Sequence, residues 1–358
     1  MEVFNLKYYI IYFVFAVAAF IFSMYVDIKK KNYNNISRFV TGILFIIIAV
    51  LFGFRDSEVG SDTEMYKWQF LNHYADLGVQ IAFKYLIVLF HFFTEDYRYF
   101  LFGISILYTL IIFWSIDNLL KSFETNFLLV AFSFVSLFFF LSLGINIIRQ
   151  GVSLALVLLG VSYYFKERRN IISWIIPFIL AIGFHSTTIV VLVLFLIVLF
   201  AKKATLNFYY FWYFILLVVS ALGGSIISLG SLLNFVIDSR QSDYYIKGIG
   251  AEEFVVGFKL QFAAFNTIFL LIFSFINFKL LKNENNNYKL LLKYYMLISG
   301  VFFMMFQIPF SDRWGVMSWI TIPFLLSPLF SVKNTAKFGM FTVTFLIFIF
   351  IFFNIYNK

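Results

Sequence analysis

The run "FLLVAFSFVSLFFFLSLG" (127–144) is eighteen consecutive residues with no charge and nothing more polar than serine. It approaches the roughly 20 residues an α-helix needs to cross the hydrocarbon core of a bilayer. A strand of a membrane barrel would alternate polar and apolar residues, and this run does not. Comparable runs recur along all 358 residues, of which 62% are hydrophobic, with 54 Phe and 22 Tyr against 4 Pro and a mean hydropathy of +0.92. So apolar a chain has the bilayer as its solvent. Lipid leaves irregular backbone unpaired, so the composition predicts an all-α, polytopic bundle of transmembrane helices.

Apolar windows near 8–25, 39–54, 97–113, 127–145, 147–165, 171–184, 187–201, 206–222, 258–278, 294–310, 316–331 and 338–355 predict about twelve spans in a single integral membrane domain over 1–358. The segment 81–93 is short and contains Lys84, which suits a re-entrant or interfacial helix. The first run is followed by "DIKKKNYNN" (27–35) with no small-residue cleavage site, so it reads as a retained span.

The formal charge of +9 comes from Lys and Arg spread over short connections, a topology signal rather than a nucleic-acid surface. "KKKNYNNISR" (29–38), "KERRN" (166–170), "KK" (202–203), "KLLKNENNNYKLLLK" (279–293) and "KNTAK" (333–337) are assigned to the cytoplasm by their positive charge. That places both termini outside, with long outer loops at 55–80 and 238–257. The absence of Cys excludes disulfide and thiolate chemistry.

The same topology gathers five polar stretches on the outer face. "RDSEVGSDTEMYKW" (55–68) concentrates Arg55, Lys67, Asp56, Glu58, Asp62 and Glu64 in an otherwise apolar chain. "GINIIRQGVSLAL" (144–156) sets Arg149 and Gln150 beside a long apolar helix, where a forked cation and an amide suit phosphate or sugar oxygens, or where the arginine simply snorkels to the headgroups. "AIGFHSTTIVVL" (181–192) offers His185 as a general base or as a hydrogen-bonded structural residue. In "FQIPFSDRWGVMSW" (306–319), Asp312 and Arg313 stand between spans, with Trp314 or Trp319 as a flat surface for a sugar. "DSRQSDYYIKGIGAEE" (238–253) has the polar, glycine-punctuated character of a lid and carries Arg240. Asp62 reads either as a carboxylate for sugar hydroxyls or the base, or as a helix cap before "TEMYKWQF". No histidine pair has ligand spacing and no DxD motif occurs, so neither a metal nor a cofactor is expected.

The order "FGFRDSEVGSDTEMYKW", "RQGVSLAL", "GFHSTT" and "SDRW" resembles the EpsG family and the wider Wzy-type O-antigen polymerases. Arg55, Gly60, Asp62, Thr63 and Tyr66 match that pattern in the first outer loop, as do Arg149 with Gln150 and Phe184 with His185 further on; beyond about residue 190 only hydropathy and Arg313 carry the likeness. The resemblance implies a multi-pass bacterial inner-membrane glycosyltransferase. It would join undecaprenyl-pyrophosphate-linked oligosaccharide repeats, as both donor and acceptor, into O-antigen, capsule or exopolysaccharide, with a chain-length regulator protein as a candidate partner. The acceptor hydroxyl then needs a base, for which His185 or Asp62 is the candidate. Arg55, Arg149, Gln150, Arg313, Arg240, Asp312, Thr63 and Tyr66 would then bind pyrophosphate and sugar. A flippase for the same lipid-linked oligosaccharide is the main rival. It is disfavoured because the notable charges sit at one surface and no internal repeat is visible. An outer-face O-acyltransferase would need an acyl-donor route and an early-helix histidine that the sequence does not display.

Overall fold

The structure, a computed structural model, describes residues 1–24, 31–75, 78–120, 122–123, 125–166, 170–226, 256–331 and 336–356. Arg240 and the whole stretch read as a lid, 238–253, lie outside them. The described residues are helices joined by turns, with one isolated antiparallel bridge between Thr125 and Ser331. Among them, six helices are long and apolar enough to cross a membrane: Glu2–Met24, Asn34–Gly53, Tyr97–Leu120, Ile148–Lys166, Leu260–Leu280 and Lys337–Tyr356. A bent pair raises the number to seven if it counts as one span. Large apolar side chains such as Phe13, Phe39, Phe211, Phe341 and Phe348 are exposed, as a surface solvated by lipid requires.

The chain forms two compact units. The first, Met1–His185 with Leu326–Lys358, contains α1 (Glu2–Met24), α2 (Lys31–Gly53), α3 (Thr63–Leu71), α4 (Ile81–His91), α5 (Tyr97–Leu120), α6 (Phe127–Ser136), α7 (Phe138–Ile145), α8 (Ile148–Lys166), α9 (Ile171–Phe184) and the C-terminal helix. Helix α8 is its centre, packed on α5, α7 and α9, and every residue of it is buried except Arg149, Tyr163 and Lys166.

The run 127–144 is not the single straight crossing its composition predicts. It breaks at Leu137, whose backbone is extended (φ −90°, ψ 134°), and the two halves meet at 76°. Such a break is tolerated at membrane depth only where protein surrounds it, and all ten residues of α6 are buried. Hydroxyls reach the backbone around the break: Tyr8 donates to the Val135 carbonyl at 3.4 Å and Tyr108 to the Phe140 carbonyl at 3.4 Å. Tyr12 shares a 3.2 Å hydrogen bond with Ser136 Oγ, which itself donates back to the Phe132 carbonyl.

Segment 81–93 is a helix over Ile81–His91, about 16 Å long at the usual rise and so too short to cross. It buries Phe83 and Ile87, four residues apart and hence on one face, and packs on α5 through Phe83 and Phe90 against Phe100.

The second unit, Ser186–Leu325, contains α10 (Thr188–Phe200), α11 (Leu206–Ala221), α12 (Leu260–Phe275), α13 (Asn286–Met304) and α14 (Asp312–Trp319). Two predicted spans differ here. The window 294–310 ends its helix at Met304, and the chain then turns, with Phe310 in the left-handed region (φ 56°). The window 316–331 is divided among α14, Ile322–Leu326 and a tight turn at Ser327–Phe330, where Pro323 and Pro328 supply no backbone donor.

Candidate functional site

The polar loop after α2 is docked onto the two-residue turn that separates α7 from α8. Arg55, only 3% exposed, donates from Nε to Thr63 Oγ1 at 3.0 Å, from Nη1 to the Phe52 carbonyl, and from Nη2 to the Ile145 carbonyl at 3.0 Å. Thr63 Oγ1 donates onward to the Val59 carbonyl. Tyr66 donates its hydroxyl to the Asn146 carbonyl at 2.7 Å, and the Ser61 N–H donates to Asn146 Oδ1 at 3.0 Å. Gly60 has φ +90°, and a Cβ there would stand 2.6 Å from Asn146 Oδ1, so both the turn and the close approach call for glycine. Burial pulls the Arg55 guanidinium down to about 10, against the opposing influence of Tyr66 and Tyr97, which still leaves it charged at neutral pH.

Arg55, Thr63 and Tyr66, expected as ligand contacts, therefore bond to the protein's own backbone and to one another. Asp62 is different. It stands at the N-cap position of α3, where its carbonyl takes the Tyr66 N–H, but its side chain does not cap the helix; its Oδ1 accepts from Ser61 Oγ at 2.9 Å, and the residue is partly exposed.

Beyond the turn, α8 opens with Arg149 and the buried Gln150. A Cβ at Gly151 would lie 2.2 Å from the Leu143 carbonyl, so glycine is what lets this first turn press against the end of α7. Arg149 is half-buried, donates from Nη1 to Gln80 Oε1 at 2.8 Å and lies 5.8 Å from the Phe83 ring centroid. Among the described residues it forms no ion pair. Its cationic donors thus stand at the N-terminus of a 19-residue helix, the positive end of the helix dipole, which favours an anion at the same place.

Helices α8 and α9 are joined by a short connection and run antiparallel, tied by Ser153 Oγ donating to the Ala181 carbonyl at 2.8 Å. Arg149 lies one helical turn before Ser153, and His185 lies one turn after Ala181, so both stand at the same end of the pair. His185 is half-buried, extended (φ −152°, ψ 111°), and its N–H bonds to the Ala181 carbonyl. The start of α4 reaches this end too, since a Cβ at Gly183 would lie 3.2 Å from the Ala82 Cβ. Gln80, Phe83, Arg149 and His185 therefore form one neighbourhood, beside the docked loop.

Asp312 and Arg313 belong to the second unit. Arg313 follows the left-handed Phe310 and lies 4.8 Å from that ring's centroid, a cation held over an aromatic face. Lys259, not singled out from the sequence, precedes α12; burial pulls its ammonium down and the Asp312 charge opposes this, which places the two groups in one local field. Its only sequence signal was a lysine at the foot of an apolar run. The Trp residues are not sugar platforms: Trp319 is fully buried among Phe262, Phe265 and Phe302 with Nε1 donating to Asn266 Oδ1 at 2.7 Å, and Trp314 is buried as well.

The remaining two histidines meet each other. His73 is buried, with its ring centroid 3.7 Å from that of His91, and burial followed by the His91 charge lowers its pKa.

No match exists among curated proteins or among solved structures. The family model described as the EpsG family matches residues 38–358, a span that includes the docked loop, the α8–α9 pair and the Asp312–Arg313 turn. On that match, the chain belongs to the EpsG family.

Proposed function

We propose that the protein is a polymerase of lipid-linked oligosaccharide repeats, acting at the outer face of a bacterial cytoplasmic membrane. Family membership and the apolar helices support the coarser reading, a membrane protein of polysaccharide biosynthesis. The observation that carries the finer one is Arg149: a fork of donors at a helix N-terminus, with no carboxylate partner among the described residues, at the end of the α8–α9 pair that also bears His185.

In this reading a hydroxyl of the acceptor repeat attacks C1 of the donor's reducing-end sugar. The C1–O bond to pyrophosphate breaks, and the undecaprenyl pyrophosphate leaves with the electron pair. Arg149, with Gln150 beside it, takes the charge that develops on the leaving oxygens, which bidentate guanidinium bonds suit. Arg313, Asp312 and Arg240 are proposed as further contacts to pyrophosphate and sugar. His185 takes the hydroxyl proton, or Asp62 does. Arg55, Thr63 and Tyr66 serve the site by holding its loop. The short and broken helices complete about twelve crossings, and a chain-length regulator is a proposed partner.

A deletion strain complemented with Arg149→Ala, His185→Ala or Arg313→Ala should retain single-repeat glycan and lose the ladder on a gel, at unchanged protein level. Full-length polymer from all three would remove the site assignment. Loss of all surface glycan, with repeats trapped on the cytoplasmic side, would favour a flippase.

A further inference from the structure

We propose that Asn146 is a positioning residue of this site, fixing the register between the polar outer loop and the first turn of α8 so that Arg149 meets its ligand in one geometry. Asn146 sits in the two-residue turn between α7 and α8, three positions before Arg149. Both of its carbonyl groups bind the loop: the side-chain oxygen takes the Ser61 N–H at 3.0 Å and the main-chain oxygen takes the Tyr66 hydroxyl at 2.7 Å. Its own N–H is held by the Ser142 carbonyl at 2.9 Å, and the neighbouring Ile145 carbonyl takes Arg55 Nη2. The residue is therefore bonded to α7 behind it and to the loop on its open side, while α8 begins two residues further on.

Its side chain is also matched to what faces it. The amide oxygen occupies the space beside Gly60 that any larger residue there would fill, so loop and turn fit only as a pair. An arginine whose bonds to a leaving group form in the transition state depends on such fixity, because a displacement of about 1 Å can cost on the order of 100-fold in rate. The ligand that Arg149 meets rests on the glycosyl-transfer reading; the loop-to-turn geometry does not.

The chain has no cysteine, so a single Glu64→Cys substitution in α3 carries a spin label on the full-length protein in proteoliposomes. Asn146→Ala should raise the label's mobility and lower turnover of lipid-linked repeats at least about tenfold, in kcat rather than KM. Asn146→Asp, which keeps an acceptor oxygen, should restore both toward the parent. Unchanged mobility overturns the proposal, as does raised mobility with parental turnover. Should Asn146→Ala not accumulate in membranes, Tyr66→Phe deletes only the hydroxyl on the Asn146 carbonyl and is read by the same two measurements. If the parent protein itself fails to elongate repeats, the glycosyl-transfer reading falls, while the mobility change still judges the docking.

Discussion

Arg55 and Arg149 flank the same turn, and they use the same side chain in opposite ways. Arg55 is buried, with its guanidinium bonded to two carbonyls and a threonine hydroxyl. Arg149 is half-buried, bonded through one nitrogen to a glutamine amide and resting against a phenylalanine ring. Both belong to the outer polar layer predicted from the sequence, and both were expected to bind ligand. The contrast teaches that an arginine at the edge of an apolar bundle is either a strut or a receptor, and that its hydrogen-bond partners decide which. Loop backbone leaving an apolar helix has carbonyls that need donors, and one arginine can satisfy several of them.

The sharpest test of the contrast is Arg149→Lys. The charge remains but the fork is lost, so polymer formation should fall on the order of 100-fold with membrane protein level unchanged. A fully active lysine variant would show that only charge is needed there. Arg55→Ala should act on stability instead. Removing it leaves the Phe52 and Ile145 carbonyls without their charged donor, a loss of about 3 kcal/mol that thermal unfolding in detergent would register. If Arg55→Ala unfolded at the parent's temperature yet made no polymer, the strut assignment would be wrong. Tyr66→Phe removes one hydroxyl from the same clamp and should cost about 1 kcal/mol in the same assay.

The smallest effect expected is one of pH. The native pKa of His73 is lowered, so the unfolded chain takes up the proton first as pH falls through about 6.5. Stability present above that value should therefore decline from there until native His73 also titrates. Unfolding temperatures measured between about pH 7.5 and 5.5 should show the decline in the parent and less of it in His73→Gln.

Much of this architecture is legible in the residues. Long apolar runs dictate helices wherever lipid is the solvent, and "RQGVSLAL" and "GFHSTT" mark the ends of α8 and α9 that stand together. The break at Leu137 was not legible. The run contains no proline and no internal glycine before Gly144, and the hydroxyls that bond around the break come from Tyr8, Tyr12 and Tyr108, distant in sequence. The role of Arg55 was hidden for a related reason, since residue type and spacing give the charge but not the carbonyls it meets. Asn146 did leave a trace: an amide standing alone between two apolar runs has backbone to bond, though nothing local says that the partner lies at Ser61.

Helix α8 has a consequence for biogenesis. With three residues excepted, it is enclosed by protein, and its serines and glycines never meet acyl chains in the finished unit. While the ribosome is still making α9, that helix has α5 and α7 beside it but lacks the α9 face of its shelter. Stable integration of the segment bearing Arg149 should thus await the synthesis of the one bearing His185, so that the two halves of the candidate site enter the membrane as an assembled hairpin.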